Sequence, residues 1–223
     1  MDKKRDEMKN KFNNASDVFD YFYSAINKHG EDFAGTKALF NVGFTIKNPL
    51  DRVIAAPYRK FNMDYAEAEW QWYLSGDPSV EKLGEIHGSI PPIWNKMADY
   101  EGCVRSNYGW QWNREHQIDK VFQMLKENPE TRQAVISIYD GKEINTYRND
   151  TPCTYAVTFT ICCGKLNMSV LMRSNDLWFG FCNDQYCFSR LQEHMASRLS
   201  LPVGNYYHHA TNLHLYNRHL NKK

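Results

Sequence analysis

Three short stretches carry the residue types that covalent chemistry on a phosphorylated ligand would need. They are Thr151-Pro152-Cys153-Thr154, Arg173-Ser174-Asn175-Asp176 and Phe179-Gly180-Phe181-Cys182-Asn183-Asp184. The first sets a lone cysteine on a Pro-Cys turn. A thiolate is the strongest neutral-pH nucleophile among side chains, and it needs positive surroundings to ionise. The second offers an arginine, whose planar fork meets phosphate oxygens bidentately. The third follows a glycine turn with a carboxylate that opens a helix. By residue type alone each has a plainer reading: buried filler for Cys153, a surface ion pair for an arginine, a helix N-cap for Asp184.

The elements that must position these residues follow from hydrophobic spacing. Ser16 is expected to cap a helix carrying Val18, Phe19, Phe22 and Ile26 on one stripe, with Gly30 as its stop. Residues 38–46 are β-rich and end at Asn48-Pro49. Residues 54–62 have no period and read as loop. Asp64 and Glu67 resemble a capping box opening a helix to about Leu74, with Gly76 beyond it. Residues 89–105 contain Pro91-Pro92 and read as mostly loop. Ile118, Val121, Phe122 and Leu125 form a second helical stripe, halted at Pro129, and residues 134–139 make a short strand. Residues 155–163 and 166–172 are expected to be strands joined by Gly164-Lys165. Residues 184–199 read as a helix and residues 206–216 as a final extended segment.

Composition bounds the function classes. At 223 residues the chain can bury a sizeable core. With no repeat or linker it is expected to form one domain over residues 1–223, with the polar residues 1–14 as a solvated arm. A formal charge of +1 gives no footprint for nucleic acid and argues against RNA. No window has the length and apolarity of a membrane span, and no secretory leader opens the chain, so a cytoplasmic protein with reduced cysteines is expected. No metal site is expected. Cys162-Cys163 and His208-His209 are adjacent pairs, and neighbours in a strand point to opposite faces. Cys182 and Cys187 lack zinc spacing.

Taken in order, Glu69-Trp70-Gln71-Trp72-Tyr73, Pro92-Ile93-Trp94, Asn107 to Trp112, Pro152-Cys153, Arg173 to Asp176, Gly180 to Asp184 and His214-Leu215-Tyr216 resemble the thymidylate synthase superfamily, and in particular its deoxycytidylate hydroxymethylase branch, known from bacteriophages. The resemblance runs from about Glu67 to His219. It implies an α+β fold, a twisted and mostly antiparallel sheet covered by helices on one face. The other face would pair with a second subunit. It also implies a folate-dependent pyrimidine nucleotide transferase. Cys153 would add to C6 of the base, turning C5 into a nucleophile toward the one-carbon unit of 5,10-methylenetetrahydrofolate. Water would then complete a hydroxymethyl group.

The same resemblance assigns roles. Glu69 would order water and move protons, which needs a carboxyl of raised pKa; Glu67, two residues away, is the decoy. Arg173, Ser174 and, across a homodimer interface, Arg132 would bind phosphate. The position after Arg132 is usually arginine but is Gln133 here, so Arg52, Arg59 or Lys60 could share the load. His214 and Tyr216 would hold the sugar hydroxyl, and Tyr108 would lie near the nucleophile. Trp94, Asp176 and Gly180 match folate-contacting positions, while Trp70, Trp72, Trp110 and Trp112 are read as core. Asp184 stands where the synthases have Asn, and Thr154 where they have His. A carboxyl can accept from cytosine N4 and, protonated, donate to N3, so both departures point to cytosine. The chain ends at Lys223, without the tail by which the synthases exclude water, which is expected to favour hydroxylation.

This reading is deoxycytidylate 5-hydroxymethyltransferase, in the host cytoplasm if phage-encoded. The same chemistry on a uracil nucleotide, making hydroxymethyl-dUMP or thymidylate, is the alternative. A nucleotide- or RNA-binding relative without turnover is the non-enzyme alternative, and a Cys–His hydrolase lacks a recognisable base for Cys153.

Overall fold

The computed structural model describes residues 8–145 and 150–222. In chain order these form β1 (Lys11–Phe12), α1 (Ala15–His29), β2 (Glu31–Phe33) and β3 (Thr36–Ile46), then α2 (Met63–Ser75), α3 (Val80–His87), α4 (Pro92–Met97), α5 (Tyr108–Asn113) and α6 (Gln117–Glu127). There follow β4 (Val135–Ser137), β5 (Thr154–Cys162), β6 (Lys165–Met172), β7 (Asn175–Asp176), a π-helical turn (Leu177–Phe181), α7 (Cys182–Arg198) and β8 (Val203–Tyr216).

The strands build one sheet in the order β1-β3-β8-β6-β5-β4, with β2 pairing β3 and β7 pairing β8. Its longest junction, β3 with β8, is antiparallel from Thr36↔Tyr216 to Ile46↔Tyr206. The β5–β6 hairpin and β4–β5 are antiparallel as well. The central β6–β8 junction is parallel, because the chain leaves β6, crosses through α7 and returns in the same direction. Val42, Phe44, Ile46, Val157, Phe159, Met168, Val170, Tyr206, His208 and Ala210 are buried, and α1 brings Val18, Phe19, Phe22 and Ile26 to the same core. Gly43 and Tyr207 on the opposite face are exposed. Gln192 of α7 ties the helix to the sheet by donating to the carbonyls of Leu166 (2.9 Å) and Asn205 (3.1 Å).

Several boundaries differ from the sequence expectation, each for a local reason. Asn14, not Ser16, caps α1 by accepting from the Asp17 N–H at 2.9 Å, and the Ser16 hydroxyl instead accepts from the Ala55 N–H. Asn62, not Asp64, caps α2. Residues 80–87 and 92–97 are helical: Ser79 caps α3, and Pro92 sits at the first position of α4, where its missing N–H is harmless. The expected arm is partly docked: Lys11 and Phe12 pair in parallel with Thr45 and Ile46, and Phe12 is buried. The ring of Phe12 packs on Phe22 and Phe44, which outweighs the polarity of its neighbours. Residues 1–7 of that arm lie outside the described residues.

The β5–β6 turn falls one residue earlier than expected. Cys162 pairs with Lys165, so the two-residue loop is Cys163-Gly164. Both carry positive φ, 51° and 69°, the twist-matched hairpin geometry that two-residue loops favour.

One close approach holds the helices over the sheet. A Cβ on Gly109 of α5 would lie 2.0 Å from the Tyr73 carbonyl oxygen and 2.2 Å from its Cα, so only glycine lets α5 meet the end of α2. Gly109→Ala should therefore destabilise the fold by about 3 kcal/mol, read as a lower urea midpoint at unchanged slope. A loss below about 1 kcal/mol would mean that α2 and α5 separate easily.

Candidate active site

The nucleophile candidate is set by the start of the hairpin. Cys153 precedes β5, and the β5–β6 register shifts between Thr154 and Ala156, a bulge of the kind that re-aims side chains. Arg173, just past β6, straps this turn. Its backbone N–H donates to the Cys153 carbonyl at 2.8 Å. Its guanidinium donates to the carbonyls of Pro152 (3.0 Å) and Thr151 (2.9 Å), and Nη2 lies 3.8 Å from Cys153 Sγ. Arg173 remains exposed, leaving donors for an anion. Burial nevertheless pushes the Cys153 thiol up to about 11, with Asp184, Asp150 and Asp176 adding to the rise and Arg173 opposing it.

Two buried carboxyls, Glu69 and Asp184, lie within electrostatic reach of each other, and Asp184 also of this thiol. Glu69 of α2 is 3% exposed. Burial raises its pKa to about 7, against hydrogen bonds from Tyr65 and Tyr73 that favour the ionised form. The chain of donors continues outward: Trp94 Nε1 donates to the Tyr65 hydroxyl at 2.7 Å, and that hydroxyl donates to Glu69 Oε1 at 2.9 Å. Cys187 Sγ lies 4.0 Å from Glu69 Oε2. Glu67 turns away, accepting from Gln71, Tyr186 and Arg190, as a residue two positions along a helix must.

Asp184 occupies the first turn of α7, which begins at Cys182, so it is not that helix's N-cap. Burial drives its pKa well above the ordinary value, and the nearby Glu69 and Asp176 push the same way. Asn175 opposes them, donating from Nδ2 to Asp184 Oδ2 at 3.1 Å. Asn175 is itself buried, and its Oδ1 has no partner among the described residues. The π-helical turn sets this register by inserting its wider turn before α7. Asp176 caps it, accepting from the Trp178 and Phe179 N–H groups at 3.0 and 3.3 Å. A Cβ on Gly180 would stand 3.4 Å from Asp184 Oδ2 and 3.3 Å from Asn175 Nδ2.

The remaining expected residues divide. Tyr108 is buried beside Thr154, within electrostatic reach of Cys153 and Asp184. His214 pairs in register with Asp176, donates from Nδ1 to Asn212 Oδ1 at 2.8 Å, and meets the Tyr216 ring edge-on at 5.4 Å, so the two do share a face. Ser174 is half-buried beside Arg173. Trp94 is half-buried, with its N–H held by Tyr65 and its ring edge-on to Trp72. Asp176 and Gly180 lie together beside Asp184, at the π-helical turn. Arg132 and Gln133 are exposed just before β4, and no hydrogen bond or ion pair joins Arg132 to Arg173 among the described residues.

Arg52 and Arg59, expected as possible further phosphate ligands, make bonds within the chain. Both are buried: Arg52 is paired with Glu193 at 2.8 Å, and Arg59 donates to the Trp178 carbonyl and lies over the Trp178 and Phe179 rings. They lock the fold around α7 and the π-helical turn. Trp70, Trp72 and Trp112 are core, whereas Trp110 is half-buried between Arg105 and Arg114. Sequence reasoning missed Tyr65, Tyr73 and Asn175. Tyr65 and Tyr73 lie four residues either side of Glu69, the spacing of helical neighbours, which is the signal that could have found them.

Comparison with known proteins agrees with this geometry. A family model described as thymidylate synthase matches residues 18–223, which extends the match well before Glu67. A deoxyuridylate hydroxymethyltransferase of Bacillus phage SP01 is 32% identical over 81% of this chain and 50% of that protein. The deoxycytidylate 5-hydroxymethyltransferase of Enterobacteria phage T4 is 32% identical over 71% of this chain and 69% of that protein. The chain thus spans half the length of the first relative and about two thirds of the second. Thermostable thymidylate synthase A from Bacillus subtilis superposes with a TM-score of 0.77 at 21% identity, covering 92% of this chain and 80% of that one.

Two outcomes follow from the buried acids. Between the ordinary carboxylate pKa and about 7 the folded chain keeps a proton on Glu69 that the unfolded chain releases. Stability should therefore fall as pH rises through that window, by up to about 1.4 kcal/mol per pH unit. Glu69→Gln should flatten that decline in urea melts run between about pH 5 and pH 7; an unchanged slope would put the proton elsewhere. Alkylation of Cys153 by iodoacetamide, followed by peptide mass analysis, should be slow near neutrality and speed up toward a pH of about 11. Arg173→Ala should slow it further at neutral pH, and a faster reaction would mean that Arg173 acts only as a cover.

Proposed function

Because the chain belongs to the thymidylate synthase family, we propose that it transfers a hydroxymethyl group to C5 of deoxycytidine monophosphate. Cys153 is the nucleophile toward C6, Glu69 handles the proton and the water, and Asp184 reads the base. Bound 5,10-methylenetetrahydrofolate supplies the one-carbon unit, held by Trp94, Asp176 and Gly180. Arg173 and Ser174 hold the phosphate, His214 and Tyr216 the sugar hydroxyl, and Tyr108 the space beside the thiol.

The observation that carries this reading is Asp184, a buried carboxyl within reach of Cys153 whose pKa is driven well above the ordinary value by burial, with Glu69 and Asp176 adding to the rise. A neutral carboxyl offers one donor and one acceptor. Asn175 donates to Oδ2, which favours Oδ2 as the carbonyl oxygen and leaves the proton on Oδ1. Cytosine needs an acceptor for its N4 amino group and a donor for N3, and a carboxyl so polarised can supply both. The same two groups in the opposite sense would meet uracil, and relatives at equal identity carry deoxyuridylate and deoxycytidylate in their names. Action on dUMP is therefore the second reading.

A homodimer across the open face of the sheet, with Arg132 of one copy reaching the phosphate site of the other, accounts for an exposed arginine far from the bonds of its own chain. Among the described residues no helix is long and apolar enough to cross a membrane, in keeping with a cytoplasmic enzyme acting on free nucleotides.

The test is tritium release from C5-labelled dCMP and dUMP with the folate donor present, followed by product mass. Release from dCMP with a hydroxymethyl product is expected, and Asp184→Asn should shift the dCMP-to-dUMP preference by at least about a hundredfold toward dUMP. Release from dUMP alone would transfer the reading to uracil, and a methyl product would overturn the water step.

A further inference from the structure

The tip of the β5–β6 hairpin carries two thiols that were expected to point apart. Strand alternation would separate the side chains of Cys162 and Cys163. Cys163 is not in the strand, however. It opens the loop at φ 51°, and this left-handed residue swings its side chain back, so that Cys163 Sγ lies 3.7 Å from Cys162 Sγ. Both cysteines are exposed. They edge a cavity of about 270 Å³, also lined by Lys47, Lys165, Asn205 and Tyr207.

Cys163 is also an unusual choice for its position. A first loop residue with positive φ is most often Asn, Asp or Gly, because a Cβ there costs roughly 1 kcal/mol or more. A residue that opposes its local geometry without adding to packing points to a role for its side chain.

We propose that Cys162 and Cys163 form a dithiol clamp for soft, thiophilic ions that accept two thiolates, of the trivalent arsenic class. Two alternatives fit less well. A disulfide is disfavoured because adjacent residues on a trans peptide have Cα atoms about 3.8 Å apart, short of the roughly 4.4–6.8 Å that disulfides span. A zinc site needs about four ligands, and among the described residues no group of three or more His, Cys, Asp or Glu is arranged to hold a metal ion. A bridging ion relieves the first difficulty and does not meet the second, since it inserts between two sulfurs already near each other. The clamp is separate from Cys153, which lies at the other end of β5, about 30 Å away along an extended strand.

The probe is phenylarsine oxide. Each arsenic forms two As–S bonds, the two thiol protons leave with the arsenoxide oxygen as one water, and no oxidation state changes. Intact mass of the full-length chain should show one arsenic unit that survives excess glutathione and is removed by ethanedithiol, since a monothiol competes poorly with a chelate. Cys162→Ser and Cys163→Ser should each lose the glutathione-resistant adduct, while Cys153→Ser should keep it. Loss of the native adduct to glutathione, or its survival in either hairpin variant, would overturn the clamp.

Discussion

Burial of three acidic groups, with Asp184 in electrostatic reach of both of the others, governs the rest of the site. Glu69, Asp184 and the Cys153 thiol each have a raised pKa, burial being the first cause in every case. A charge on Glu69 raises the cost of ionising Asp184, and a charge on Asp184 raises the cost of ionising Cys153. What distinguishes them is their hydrogen-bond company. Glu69 has two tyrosine donors, which leave it near neutrality. Asp184 has one amide donor and two acidic neighbours, which keep its proton on. Cys153 has the Arg173 guanidinium nearby, but that group is already donating to two carbonyls. The result is one carboxyl poised to move a proton, one held neutral to donate a hydrogen bond, and one thiol held in reserve.

Holding these groups so close needs several parts of the chain to agree. The bulge at Thr154/Ala156 aims Cys153, the Asp176-capped π-helical turn sets the register of Asp184, and Gly109 lets α5 brace the end of α2. Arg52 and Arg59 are spent on the same task. Their burial against Glu193 and the Trp178 carbonyl fixes the π-helical turn relative to α7. A sequence with fewer buried polar bonds in this region would gain apolar packing but lose the geometry that separates the three pKa values.

Much of this was legible in the sequence where one residue type has one use. The Pro-Cys turn is strapped by Arg173, and Glu69 is buried where Glu67 turns outward. What could not be read were properties that depend on a partner distant in sequence. The hidden use of Arg52 rests on Glu193, and the docking of Phe12 rests on Phe22 and Phe44. The pairing of two thiols rests on a hairpin register one residue earlier than the Gly-Lys signal suggested. Helix caps failed in a similar way: Ser16 and Asp64 are as good in type as Asn14 and Asn62, and only tertiary contacts, such as the Ala55 N–H on Ser16, decide between them.

The high thiol pKa has a consequence for how such a site would be switched on. In the single chain one guanidinium opposes a desolvated thiol and three carboxyls, and the balance keeps the proton on sulfur. A phosphate docking on Arg173 would draw that positive charge toward itself and make matters worse for a thiolate. A second source of positive charge is therefore needed when ligand binds. In the proposed dimer, Arg132 from a second copy meets that need, because it neutralises the phosphate and returns Arg173 to the sulfur. Under that proposal, the exposed Arg132, which has no side-chain bond among the described residues, and Arg173, already donating to two carbonyls, meet one electrostatic requirement together. A lone chain has no such compensation, so its nucleophile would stay quiet until both a partner and a nucleotide are present.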